Sequence, residues 1–370
     1  MSARSEVDLI VVGLGPAGAS AAAAAAKRGM RVIGLDRKRV AGAPVQCAEF
    51  VPAPLQGEIA DLARAVRQPI NAMVTMVGAE DSYETPDFRG AMIDRATFDA
   101  MLVDAAEKAG AQIRLGASVK SIDRDGIALQ DGRLIDASIV IGADGPRSLV
   151  GKAMGAVNAE IVETRQITVS LRKPHEATDI FLSPDYRGGY AWLFPKGEVA
   201  HIGLGLEPAL RHGLKPLLSQ LHAKLIALER VGPEIRALTG GAIPVGGLLR
   251  AVGRIGERVA MLAGDAAGLT NPVTGAGIAS AAVSGAMAGA AAAAIWRGAK
   301  GADADYAQEL AEVFGVSLDR ALMRRRELLS AYAGRARPGP AEMRRGWIAF
   351  PEYWAPQPAA QSDPIERLSA

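Results

Sequence analysis

The sequence predicts an α/β fold, in which a Rossmann-type dinucleotide-binding domain carries an inserted antiparallel sheet and a C-terminal helical region. Three observations predict it. DLIVVGLGPAGASAAAAAAKRGMRVIGLDR, at 8–37, reads as strand, glycine-rich turn, helix and second strand. Two later hydrophobic runs, ASIVIGADGPRS at 137–148 and RVAMLAGDAAG at 258–268, each place an acid at the carboxyl end of a strand. Between them the composition shifts towards alternating, β-branched and aromatic residues.

The first stretch has competing readings. Leu9 to Ala26 is eighteen residues without a charge, close to the ~20 apolar residues of a spanning helix. The run is mostly Ala and Gly, however, and Pro16 interrupts it. A signal peptide needs a basic leader, whereas Glu6 and Asp8 stand directly before this run. The cofactor reading accounts for each residue. Gly13 permits a tight turn, Gly15 lets the backbone approach a pyrophosphate, and Gly18 lets the helix pack on the strand. The positive end of that helix then faces the phosphates. Asp36 follows at the spacing where an acid meets a ribose hydroxyl.

The chain's 370 residues suffice for about two domains with cores of their own. With 49% hydrophobic and 22% charged residues it is globular, and a net charge of +2 offers no basis for nucleic-acid binding. Cys47 is the one cysteine, which excludes an internal disulfide and a Cys-rich zinc site and suits a reducing, cytoplasmic setting. His175, His201, His212 and His222 lack metal-ligand spacing, so no metal is expected.

Asp265 is followed by thirty-one uncharged residues up to Trp296. Their small side chains and Asn271-Pro272 favour a buried helix on the nucleotide sheet over a membrane span. QITVSLR, DIFLS, GYAWLF and VAHIGLGL, between 166 and 206, read as strands, and Pro208 to Arg230 as a helix covering them. From Val316 to Gly346 eight arginines face three acids, including Arg324-Arg325-Arg326. A solvated helix face is expected there, with contact to an anionic membrane or acidic partner as the functional alternative. GRARPGP and APQPAAQ suggest a loosely packed tail.

In combination these motifs resemble flavoproteins of the p-hydroxybenzoate hydroxylase fold. GDAAGLTNPVTGAGI, YAWLFPKG, PVQCAEF and the Arg95-x-x-Phe98-Asp99 helix look like the geranylgeranyl reductase branch, over residues 8–297. The resemblance implies FAD as cofactor, with NAD(P)H or another electron donor bound transiently, since no second GxGxxG follows the first. It implies that Gly13, Gly15, Gly18, Asp36 and Arg37 hold the adenosine diphosphate part and that Arg95 lies along the cofactor. Asp144, Gly145, Gly264 and Asp265 would complete the site, Asp265 on the ribityl chain. Thr274, Gly275, Ala276 and Gly277 would offer backbone N–H groups to the flavin edge where negative charge gathers on reduction.

The expected FAD domain is discontinuous, at 1–70, 91–155 and 256–300. The substrate domain comprises 71–90 and 156–255, and the C-terminal helical region and tail 301–370. Cys47 is the candidate catalytic residue, on a loop that the family places near the flavin face. Glu49, which follows it, is a candidate cavity residue. Tyr190, Trp192 and Phe194 alternate, so they share one face as cavity wall or aromatic core. Lys196 reads as a solvated turn residue and His201 as a satisfied core or surface histidine.

The resemblance implies an oxidoreductase acting on a bulky hydrophobic or aromatic substrate. Reduction of isoprenoid C=C bonds by flavin hydride is the first expectation. A monooxygenase hydroxylating an aromatic group, such as a tryptophan side chain of a precursor polypeptide, is the alternative. The third is a non-catalytic FAD-binding scaffold.

Overall fold

The structure, a computed structural model, describes residues 7–53, 62–78, 82–334 and 336–356. Most of APQPAAQ lies outside them. Six short strands form the first sheet, in the order 252–255, 258–262, 139–142, 9–12, 32–36 and 112–115. All pair in parallel except Val252–Ile255 with Arg258–Leu262. Leu9–Val12 and Ile139–Gly142 are buried along their whole length, as strands covered on both faces must be. Parallel pairing brings the ends at Val12, Asp36, Gly142 and Leu262 to one edge, the usual ligand side of such a sheet.

Two helices of small residues lie against each other, the first of them on this sheet. The first, Pro16–Ala26, begins with proline at its first turn, where no N–H is needed. The second, Ile278–Trp296, is long and apolar enough by composition to cross a membrane. Its Gly285 and Gly289 press on the first helix: an added Cβ would stand 2.0 Å from the Ala17 oxygen and 2.3 Å from the Ala21 oxygen. The uncharged run therefore packs on a helix rather than directly on strands.

A nine-stranded sheet holds the segments read as strands, at 161–171, 177–182, 191–196 and 199–206. Ala177–Leu182 pairs in parallel with Val66–Val77, and the other pairings are antiparallel. The covering helix is shorter than 208–230. Pro208–Gly213 winds as a 3-10 turn, and the α-helix Leu214–Ala227 lays Leu214, Leu218, Leu221 and Leu225 on the sheet.

The C-terminal region is helical, with Ala302–Leu310, Val316–Ser330, Pro340–Arg345 and Pro351–Trp354. Here the solvated-face expectation fails for two of three arginines. Arg324 and Arg325 are buried, and Arg326 alone is exposed, 3.1 Å from Glu160. Arg324 donates from Nε to the Tyr353 carbonyl at 2.9 Å, and also to Ala355 and Glu327, which ties the last helix to the bundle.

Candidate active site

The glycine-rich turn is built without slack. Gly13 has φ +88°, and Gly18 sits so close to it that a Cβ would lie 1.7 Å from the Gly13 oxygen. Gly15 differs: nothing lies within 4 Å of its Cβ position, and its φ of −70° would suit any residue. The open space there is a cradle at a helix N-terminus, of the kind that receives a pyrophosphate. Asp36 accepts from the Leu14 N–H at 2.8 Å and from the Lys38 N–H at 2.8 Å, so it also ties this turn to the second strand. Arg37 beside it is exposed.

Cys47 lies on the loop after the second strand, half-buried, and its Sγ accepts from the Glu49 N–H at 3.1 Å. The Arg95 guanidinium stands beside the thiol. It is held from the other side by Asp99 at 3.1 and 3.2 Å, one helical turn further on, so the Arg-x-x-Phe-Asp spacing closes an ion pair. The charge of Arg95 also reaches Asp265. One side chain thus links the Cys47 loop to the last acid of the fold.

Glu49 lines neither the cleft described below nor the pocket beside Ala276–Ser280, and its side chain is buried in a polar cluster instead. It is 3% exposed and adopts φ +68°. Its carboxylate accepts from the Arg95 N–H at 2.8 Å and from Lys196 Nζ at 2.7 Å, and lies 2.7 Å from His201 Nε2. Burial pushes this carboxyl up, but the bonds from His201, Lys196 and Arg95 outweigh it and hold it below its ordinary value. Lys196 is accordingly an ion-pair partner, not a solvated turn residue. His201 has both ring nitrogens engaged, the second with Thr168 at 3.0 Å. Sequence reasoning missed this cluster because its members lie 147 and 152 residues from Glu49.

The acids at the other strand ends differ in what satisfies them. Asp144 receives the Ser148 hydroxyl at 2.5 Å and the Leu149 N–H at 2.7 Å, while Gly145 (φ +83°) leaves open space beside it. Burial still raises the Asp144 carboxyl. Asp265 receives one hydrogen bond, from the Thr270 hydroxyl at 2.8 Å, and burial raises it as well. It follows Gly264, which has φ +60°. In the loop after it, the Thr274 N–H is taken by Asn271 Oδ1 at 3.0 Å and the Gly275 N–H by the Asn271 carbonyl at 2.9 Å. Ala276 N–H has only a long contact, 3.3 Å to the Thr274 hydroxyl. Gly277 caps the helix Ile278–Trp296, whose first-turn N–H groups have no partner within the helix. The donors left for a flavin edge are therefore those from Ala276 onward, a narrower set than 274–277. The open cradle at Gly15, the under-bonded Asp265 and these free donors fit FAD.

The aromatic row divides. Trp192 and Phe194 are buried in the core, with Trp192 Nε1 donating to Gln166 at 3.0 Å and Gln166 donating onward to the Cys47 carbonyl at 3.1 Å. Tyr190 is half-buried, donates its hydroxyl to the Thr274 carbonyl at 2.6 Å, and meets Trp347 in a tilted contact with ring centroids 4.7 Å apart. Burial carries its phenol well above the ordinary value. It stands in the wall of a cleft that is partly open to solvent. The cleft lies between the nine-stranded sheet, Pro272-Val273 of the loop after Asp265, and the C-terminal helices. Leu182, Leu328, Leu329, Met343 and Trp347 make it apolar. Cys47 is not in its wall.

Comparison with known proteins agrees with this arrangement. The Lycopene cyclase protein family matches residues 8–187. Digeranylgeranylglycerophospholipid reductase 2 of Methanosphaera stadtmanae is 33% identical over 316 residues, covering 77% of each chain. A geranylgeranyl bacteriochlorophyll reductase-like protein from Thermoplasma acidophilum superposes with a TM-score of 0.77 at 25% identity, over 87% of each chain. The flavin-dependent brominase Bmp2 shares the fold, with a TM-score of 0.67 at 15% identity over 88% of this chain and 87% of its own. The chain is an FAD-dependent oxidoreductase, and it belongs to the digeranylgeranylglycerophospholipid reductase family.

Proposed function

We propose that the protein reduces carbon–carbon double bonds of an isoprenoid lipid, using FAD reduced by NAD(P)H or another carrier. The observation that carries this reading is the apolar cleft that opens onto the loop after Asp265. Its aliphatic and aromatic walls suit a prenyl chain. Bound FAD supplies hydride.

The chain's own residues do the rest. The Gly13–Gly18 turn and Asp36 bind the adenosine diphosphate part. Asp265 would hold a ribityl hydroxyl, and the helix N-terminus from Ala276 onward would offer its donors to the ring edge that gains negative charge on reduction. Cys47 is the proton source for the second carbon of a prenyl chain that reaches beyond the cleft to the Cys47 loop, where the thiol stands beside Arg95 and accepts from the Glu49 N–H. The thiolate left behind regains its proton from water. A lipid substrate also implies peripheral contact with a membrane surface.

The test is to mix anaerobic, dithionite-reduced holoenzyme with a geranylgeranyl phospholipid and weigh the product. Gain of two hydrogens per double bond is expected. No hydrogenation, together with oxygen insertion into an aromatic compound in air, overturns the reading in favour of a monooxygenase.

A further inference from the structure

Helix Val316–Ser330 buries two successive arginines, and the chain satisfies only one of them. Arg324 reaches two carbonyls and Glu327. Arg325 is 8% exposed and donates once, from Nη1 to the Gly188 carbonyl at 2.5 Å. Its Nε is fully buried and has no hydrogen-bond partner. Among the described residues, no carboxylate forms an ion pair with it. The two acids whose charge reaches it are engaged elsewhere: Glu160 with Arg326 at 3.1 Å and Glu207 with Arg187 at 3.0 Å. A buried, unmatched guanidinium is costly, and folded chains keep one where something outside the chain completes it.

Arg325 also lines the cleft described above, where every other long side chain is aliphatic or aromatic. We propose that Arg325 anchors the phosphate end of the substrate, so that the cleft selects a phosphate-bearing isoprenoid over the neutral alcohol. This rests on the reading that the cleft holds an isoprenoid, and adds which end of it the protein recognises. A guanidinium suits the task because its planar donors match two phosphate oxygens at once. The shared chemistry is a phosphate on a prenyl chain, and two sources supply it: a prenyl diphosphate or a glycerophospholipid head group.

The experiment is calorimetric binding to oxidised holoenzyme, which needs no turnover. The ligands are geranylgeranyl diphosphate, a geranylgeranyl glycerophospholipid in detergent, and geranylgeraniol. Arg325→Gln should weaken one or both phosphate ligands by about 10- to 100-fold, the range of a hydrogen bond to a charged group. It should leave geranylgeraniol unchanged, and the ligand that weakens identifies the source. Equal weakening of the alcohol, or no change for either phosphate, overturns the proposal. If Arg325→Gln does not fold, Arg325→Met, which keeps an unbranched stem without the charge, decides in the same way, through loss or retention of the preference for phosphate over alcohol. Anaerobic turnover separates the two claims. Charge-selective binding without hydrogenation sinks the reductase reading and keeps the anchor, whereas hydrogenation with charge-blind binding does the reverse.

Discussion

Glu49 and Asp265 are two carboxylates that both respond to Arg95, one to its backbone N–H and the other to its charge, and they are treated in opposite ways. Glu49 has three partners of its own, and together they hold it below its ordinary value. Asp265 has one hydroxyl and the distant charge of Arg95, and it is raised. A carboxylate completed by its own chain is part of the scaffold. One left short of donors in a half-buried setting is held ready for a ligand. The same contrast separates Arg324 from Arg325.

The largest effect expected from breaking this comparison is at Glu49. Glu49→Gln removes the charge facing Lys196 and His201, and should cost about 3–5 kcal/mol in denaturant unfolding. The pH course carries the sign. Because the folded carboxyl is depressed, its contribution is present above the ordinary value of 4.5 and disappears as pH falls through the folded value. Wild type and variant should therefore converge in acid, and a constant gap would show that packing, not charge, is lost.

Next is Cys47→Ala, expected to slow isoprenoid reduction about 100-fold, as loss of a general acid does, with flavin content unchanged. Unchanged turnover would remove Cys47 from the chemistry. Asp265→Asn should weaken FAD by about tenfold while leaving the apoprotein at least as stable at neutral pH. A raised carboxyl costs stability as pH rises through its folded value, and the amide does not. Destabilisation on the scale of Glu49→Gln would erase the distinction between the two acids. The smallest structural effect is at Gly15→Ala, within about 0.5 kcal/mol in the apoprotein, because its Cβ meets nothing. Flavin content should fall all the same, as that methyl group occupies the cradle.

What the sequence disclosed were the local features. The strand predicted from VAHIGLGL is the strand observed, Val199–Leu206, because a short apolar run between Gly197 and Pro208 reads as a strand, and this one is buried from Ala200 to Leu206. The glycine turn was legible because its demands are local: Gly13 and Gly18 answer to their close contact, five residues apart, and Gly15 leaves the open cradle between them. The Glu49 cluster was not, since a lysine, a histidine and a glutamate from three segments meet only after the nine-stranded sheet has formed. The arginine run misled for a subtler reason. Leu318, Ala321, Arg325 and Leu328 follow helical spacing, so the apolar stripe runs through the charge cluster. That stripe was the available signal that Arg325 points inward, and charge counting hid it.

The contact of Gly285 and Gly289 with the carbonyls of Ala17 and Ala21 has a consequence for how the protein is made. Its first and last cofactor motifs are about 250 residues apart, yet they are braced by one pair of helices pressed backbone to backbone. A nascent chain still lacking Ile278–Trp296 has the glycine turn but neither Asp265's loop in place nor the helix that follows that loop. Cofactor capture is thus a late event in synthesis, after the ribosome has passed the codons of Ile278–Trp296. Until then the first helix carries an uncovered alanine face, and the chain is most exposed to mispairing before the second helix emerges to cover it.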